Sequence, residues 1–168
     1  MKLERHVAFE VPSTLPPDRA VAFVRDVERS LRHADFLERL DVDEDGVVTA
    51  LLPVNAALFG AQRLRFRSRI DPTEAGAVLV GLDLDDTPGW ARVGGEGHVR
   101  PDADGSLLRY VFDIEIHLKL PHSGRWGGRA LLRMIDVTAD NVLAKIQAAF
   151  PEAVRAAAQD AARETDVA

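Results

Sequence analysis

Polar and apolar positions alternate most strictly from Arg63 to Ile70, where Arg63, Arg65, Arg67 and Arg69 interleave with Leu64, Phe66, Ser68 and Ile70. Successive side chains of a strand point to opposite faces, so this spacing predicts a strand with one cationic and one largely apolar face. The same period recurs further on. Leu108, Tyr110, Phe112, Ile114, Ile116, Leu118 and Leu120 fall on one side of a long run, with Arg109, Asp113, Glu115, His117 and Lys119 on the other. Residues 77–84 place Val78, Val80, Leu82 and Leu84 inward. Residues 91–99 set Ala91, Val93, Gly95, Gly97 and Val99 against Arg92, Glu96 and His98. The turn-forming stretches DEDG, DPTEAG, DDTPG and PDADG separate these runs. Residues 36–120 therefore read as an antiparallel meander with one dry face, and the alternating KLERHVAFEV at the N-terminus joins the same sheet.

Helical spacing replaces alternation in two places. Val21, Val24, Val27 and Leu31 recur at helical intervals over residues 18–33, with a break near Asp26 that divides the segment into a short helical pair. Residues 129–150 carry Leu132, Ile135, Ala139, Val142, Leu143, Ile146 and Ala149 on one stripe, roughly 30 Å of helix at the usual rise. Pro151 then interrupts the pattern. The Ala-rich remainder is helical by propensity but too weakly apolar to require docking, and its end is expected to fray. The expected organisation is a domain over residues 1–150 with an extension or tail over 151–168.

Composition narrows the function classes. At 168 residues the chain forms one domain with a sizeable core, and 46% hydrophobic with 29% charged residues is the balance of a folded soluble protein. Without cysteine there are no disulfides, thiolate metal sites or cysteine nucleophiles. No apolar run reaches the roughly 20 residues of a membrane span and the N-terminus lacks a signal-length stretch, so the expectation is a cytoplasmic protein with no integral membrane segment. The net charge of −6 disfavours polyanions. A nucleic-acid platform needs cations and stacking aromatics on one surface, whereas Phe66 points away from the arginine stripe; no nucleic-acid partner is expected. The acidic segments at 41–46 and 83–86 are the expected neutralisers of that stripe. Among the five histidines no pair has metal-ligand spacing, so neither a metal nor a cofactor is expected. PHSGRWGGR at 121–129 has the glycines of a phosphate loop but not its GKS or GKT ending, and reads as a turn before the closing helix.

The order strand, helical pair, long antiparallel meander and closing helix, ending in GSLLRYVFDIEIHLKLPHSGRWGGRALLRMIDVTADNVLAKI, resembles the helix-grip fold of the START-like superfamily over about residues 2–150. Its members associated with carbon monoxide dehydrogenase and its polyketide cyclase-like members are the nearest in pattern. The resemblance implies an α+β fold, a curved antiparallel sheet of about six or seven strands wrapped around a long C-terminal helix, with a cavity between them. Carried over by position, the lining is Leu64, Phe66, Ser68, Leu82, Val93, Tyr110, Phe112 and Ile114 from the sheet and Met134, Ile135, Val142 and Ile146 from the helix. Trp90 and Trp126 would cap its mouth. Gly95 and Gly97 leave room on the inner face. The same residues would make an ordinary core if nothing were bound.

The implied function is non-catalytic binding or carriage of a small apolar molecule such as a lipid, polyketide or quinone-like compound. Two other readings stand beside it. The convex arginine face would dock a protein partner or a second copy of the chain; a cyclase-type enzyme would need an acid or base inside the cavity. The strand phase puts His98, Asp113, Glu115 and His117 outside, and a slip of one residue would reverse that.

Overall fold

The computed structural model describes residues 2–56, 60–84, 89–118 and 128–166. Strand β1 spans Lys2–Ser13 and is followed by helices α1, Pro17–Arg25, and α2, Val27–Ser30. Six strands come next: β2 Arg39–Val42, β3 Val47–Ala56, β4 Gly60–Thr73, β5 Gly76–Leu82, β6 Gly89–Asp102 and β7 Gly105–Leu118. Helix α3, Gly128–Asp166, closes the chain. The seven strands form one sheet in the order β1-β7-β6-β5-β4-β3-β2, so the meander is intact and β1 returns to flank β7 along its whole length. Because β5 is short and ends at Leu82, β4 and β6 meet beyond it in parallel, Phe66 opposite Ala91. Ser68 seals that seam: its hydroxyl donates to the Val93 carbonyl at 2.7 Å, fully buried.

The helical pair divides at Asp26, whose carboxylate accepts from the Arg29 backbone N–H at 3.0 Å and caps α2. Pro17 opens α1, where a missing N–H costs nothing. Ala20, Phe23 and Val24 turn inward from α1.

Helix α3 does not stop at Pro151. It runs unbroken for 39 residues, and Val154, Ala157, Ala158 and Ala161 are buried in the same core as Phe23 and Leu108. The segment after Pro151 is thus helical, as its propensity implies, but it is docked through Ala161 instead of being too weakly apolar to pack. These residues recur at helical spacing, and small side chains let a helix pack closely without offering bulk. Burying Val154 alone is worth roughly 1.5–3 kcal/mol. Ion pairs join the same end to α2 and the residues just after it: Arg32 meets Asp160 at 2.8 Å, His33 Nε2 meets it at 2.7 Å, and Arg29 of α2 reaches Glu164. The His33 and Arg32 contacts hold the Asp160 carboxyl below the ordinary carboxylate value. At the opposite end, Arg5 on the inner face of β1 grips Asp140 at 2.6 Å and Asp136 at 3.5 Å.

Two apolar clusters result. One joins Val11, Phe23, Leu108, Leu143, Phe150 and Val154; the other joins Leu3, Leu64, Ala91, Ile116, Ile135 and Ala139. Leu52 and Ile114 touch both. Gly97 of β6 admits α1 to the first cluster, since a Cβ there would lie 2.6 Å from Val24 Cγ1 and 3.2 Å from the Tyr110 ring. Gly97→Ala is expected to cost about 1–3 kcal/mol through this overpacking, read as a lower urea midpoint at unchanged slope. An unaltered midpoint would mean that α1 is not seated as described.

Candidate functional site

A cavity of about 130 Å³ lies between the sheet, α3 and the α1–α2 side. Its wall is almost wholly apolar. From β4, β6 and β7 come Leu64, Phe66, Val93, Tyr110, Phe112 and Ile114, and from α3 come Val142 and Ile146; all eight are expected on sequence grounds, and the fold brings them to one space. Phe66, Val93, Phe112, Ile114 and Val142 point inward yet remain only half-buried. In a filled core such side chains would be wholly covered, so their residual exposure marks an open interior.

Four expected lining residues lie elsewhere. Ser68 is spent on the β4–β6 seam. Leu82 stands opposite Arg67, on the outer face, while Leu79 stands opposite Ile70 and lines the cavity in its place. The inward phase expected for Val78, Val80 and Leu82 is therefore shifted by one residue, and Val80 is 36% exposed. Ile135 packs in the second apolar cluster rather than the cavity wall. Met134, one position away on the helix, is 40% exposed.

Trp90 does not guard a mouth. It lies on the sheet face opposite Ala91, stacked on His117 at 3.9 Å between ring centroids and 6% exposed. Trp126 and most of the 121–129 turn lie outside the described residues.

Several wall residues carry no sequence signal. Phe36, Leu37 and Leu40 come from the stretch joining α2 to β2 and its first residues, where no period holds. Phe150 sits beside Pro151, at the point where the pattern alone ends the helix. It is the hub of an aromatic group: its ring meets Phe9 edge-on at 5.0 Å and Phe112 at 5.2 Å, while Phe9 stacks on Tyr110 at 5.2 Å.

Polar groups in the wall are few. Ser30 donates to the Val27 carbonyl of its own helix at 3.3 Å, and Glu96 is solvent-exposed. Tyr110 differs from both. It is 5% exposed, and among the described residues its hydroxyl is a buried side-chain polar atom without a hydrogen-bond partner. Burial pushes the phenol well above its ordinary value, so it stays a neutral donor. No group of three or more metal-ligating side chains occurs among the described residues. Their helices include none long and apolar enough to cross a membrane.

Outside, the arginine stripe is neutralised differently from expectation. Arg63 pairs with Glu38 at 2.6 Å and Arg69 with Asp71 of its own strand at 2.9 Å. Asp83 goes to Arg92 and Asp41 to Arg39. Arg65 and Arg67 face Leu51 and Thr49 across β3.

The architecture is a helix grip, an antiparallel sheet closed by one long C-terminal helix. It overlays the Zhui aromatase/cyclase from Streptomyces sp. R1128 with a TM-score of 0.55 at 17% identity, over 94% of both chains. A protein of unknown function from Staphylococcus aureus matches with a TM-score of 0.54 at 9% identity, over 96% of this chain and 98% of that one. The di-domain aromatase/cyclase StfQ of the steffimycin pathway matches at 0.54 and 16% identity, over 95% of this chain and 52% of its own. Residues 8–160 match the family described as "Protein of unknown function (DUF3809)", and the chain belongs to it. No curated protein matches the sequence.

Removing an unsatisfied buried hydroxyl relieves its desolvation cost, so Tyr110→Phe should stabilise the ligand-stripped protein by about 1 kcal/mol. In differential scanning calorimetry that is a melting temperature higher by about 2–4 °C. A drop of similar size would show that the hydroxyl is satisfied in the empty protein.

Proposed function

We propose that the protein binds and carries a small apolar molecule in the space between sheet and α3. The observation that carries this reading is the open apolar cavity, whose inward side chains are left half-buried. Its proportions, many hydrophobic walls and very few polar groups, are those of a site for an apolar ligand. The fold-level likeness to aromatase/cyclases supports the same class of ligand by analogy only. A cyclase activity would need an acid or base facing the substrate. Among the described wall residues the candidates are the exposed Glu96 and Tyr110, whose phenol is kept neutral by burial and is therefore ill-suited to act as a base or to give up its proton. Carriage without chemistry is the better fit.

Native mass spectrometry of the freshly purified protein, with organic extraction, tests the proposal. The expected result is a stoichiometric apolar adduct in the wild type, lost in Val142→Trp, which fills the cavity from α3. A bare wild-type mass, together with no saturable uptake of benzene-sized hydrocarbons, would end this reading.

One observation favours a second reading, a docking face on the outside of the sheet. Arg65 and Arg67 are half-buried with no ion pair among the described residues, and they stand beside the exposed Val80 and the half-buried Leu51 and Leu82. Cations flanked by exposed apolar surface suit a protein partner or a second copy of this chain. Sedimentation velocity of wild type and an Arg65→Glu/Arg67→Glu variant decides the self-association form: a dimer converted to monomer supports it, and identical profiles remove it.

A further inference from the structure

We propose that a guest enters the cavity between α2 and β2, past Leu31, Leu37 and Leu40, and that the chain joining these two elements is the gate. The inference rests on the cavity reading above and adds its route of access. It starts from a second hollow. A surface depression of about 300 Å³ lies at the α2–β2 connection, lined on its polar side by Glu28, Arg32, Asp35, Glu38 and Arg39. Leu31, Leu37 and Leu40 line both this depression and the apolar cavity. One layer of side chains thus separates the solvent-facing hollow from the interior, and all three leucines are only half-buried.

The rest of the described wall is closed more firmly. Pairing joins β3 through to β7, and bonded strands about 4.8 Å apart admit no guest between them. Helix α3 is packed into both apolar clusters. The α2–β2 connection has neither support. Its main-chain bonds are local turns, the Ala34 N–H to the Leu31 carbonyl and the Leu37 N–H to the Ala34 carbonyl, each at 2.9 Å. The bond to the sheet comes only at Glu38, whose N–H donates to the Leu51 carbonyl at 2.9 Å. Both ends, by contrast, are held. Glu28 accepts from the Val42 N–H at 3.0 Å, Arg32 pairs with Asp160 at 2.8 Å, and Glu38 pairs with Arg63 at 2.6 Å. A segment held at its ends and bonded to itself between them can swing outward without breaking the sheet ladder, the kind of local opening that precedes global unfolding. Phe36 rides on the same segment and meets the Phe150 ring at 5.5 Å in the cavity wall, so the swing also unseats part of that wall.

The test follows the exchange of fluorobenzene, a neutral benzene-sized probe, by fluorine-detected NMR on wild type, Leu37→Ala and Arg63→Ala. Truncating Leu37 thins the gate. Its association and dissociation rate constants are both expected to rise about three- to tenfold while Kd moves less than about threefold, because a gate sets the barrier and not the bound state. Arg63 lies outside the cavity wall, and its removal releases Glu38 without altering the bound guest. Arg63→Ala is therefore expected to raise both rate constants about two- to fivefold at unchanged Kd, and it keeps the proposal testable if Leu37→Ala does not fold. Wild-type exchange rates in both variants, with the probe still bound, would overturn the gate while leaving the cavity as a binding site. A change confined to dissociation in Leu37→Ala would overturn it too, since that marks a wall residue alone. If fluorobenzene does not bind the wild type, the cavity reading fails and this proposal fails with it.

Discussion

One helix has to serve two cores. Along α3, Ile135 and Ala139 close the cluster around Leu64 and Ile116, whereas Leu143, Phe150, Val154 and Ala157 close the one around Leu108 and Val11. The helix reaches β1 at one side of the sheet and β3 near the other, which requires the strands to curl around it. Both ends are then paired, by Arg5 on Asp136 and Asp140 and by Arg32, just after α2, on Asp160 and Glu164. Exposed pairs of this kind contribute little stability individually. They mark where the two ends of α3 meet β1 and the α2 side of the fold. The cavity lies in that interval, with Val142 and Ile146 as its roof.

Alternation in the sequence is readable wherever the two faces of a strand differ in polarity. In β4 the arginines leave no doubt about which side is wet, and in β7 the charges from Asp113 to His117 do the same. β5 reads in the wrong phase for a physical reason. Its AVLVGL is apolar on both faces, and the bulkier residues, Val80 and Leu82, happen to face out while Ala77 and Gly81 face in. Only the pairing of Leu79 with Ile70 resolves it, and pairing is a tertiary fact. The end of α3 misleads on a related ground: hydrophobic bulk is a poor measure of burial where helices approach closely, because alanine buries readily there. Proline carries too much weight in the same place. It removes one intrahelical hydrogen bond and costs about 3 kcal/mol, a sum that burial of Phe150, Val154 and three alanines readily offsets.

The candidate site is partly legible for the same reasons. Residues contributed by β4, β6, β7 and α3 follow from periodicity and the helix-grip resemblance. Those from the α2–β2 connection do not, since Phe36 and Leu37 belong to no repeating pattern and are recruited by the position of α2. Trp90 is misplaced by sequence reasoning because an indole near glycines suggests a rim. Its neighbour across β7 is His117, however, and a residue facing His117 faces the outside. The arginine stripe is an outer face, as its alternation implies, but among the described residues its partners are not the nearby acidic segments. Strand register puts Leu51, Thr49 and Val47 opposite Arg65, Arg67 and Arg69, so charge balance is left to Glu38 and Asp71 at the margins.

An empty cavity has a thermodynamic cost that bears on what the fold is for. At roughly 24 cal/mol per Å³, a void of about 130 Å³ forfeits about 3 kcal/mol. An unpartnered hydroxyl beside it adds about 1–3 kcal/mol. Together, about 4–6 kcal/mol, these rival the whole stability of a domain at the lower end of the usual range of about 5–15 kcal/mol. The same volume could be filled from any of several half-buried positions, and phenylalanine in place of Tyr110 would remove the polar cost without altering the ring contacts. A sequence that keeps both the void and the hydroxyl carries two separate deficits. An apolar guest of the kind proposed above would recover the contacts that the void forfeits. By linkage, the stability of the protein would then rise with the concentration of such a guest, by an amount bounded by the cost of the void.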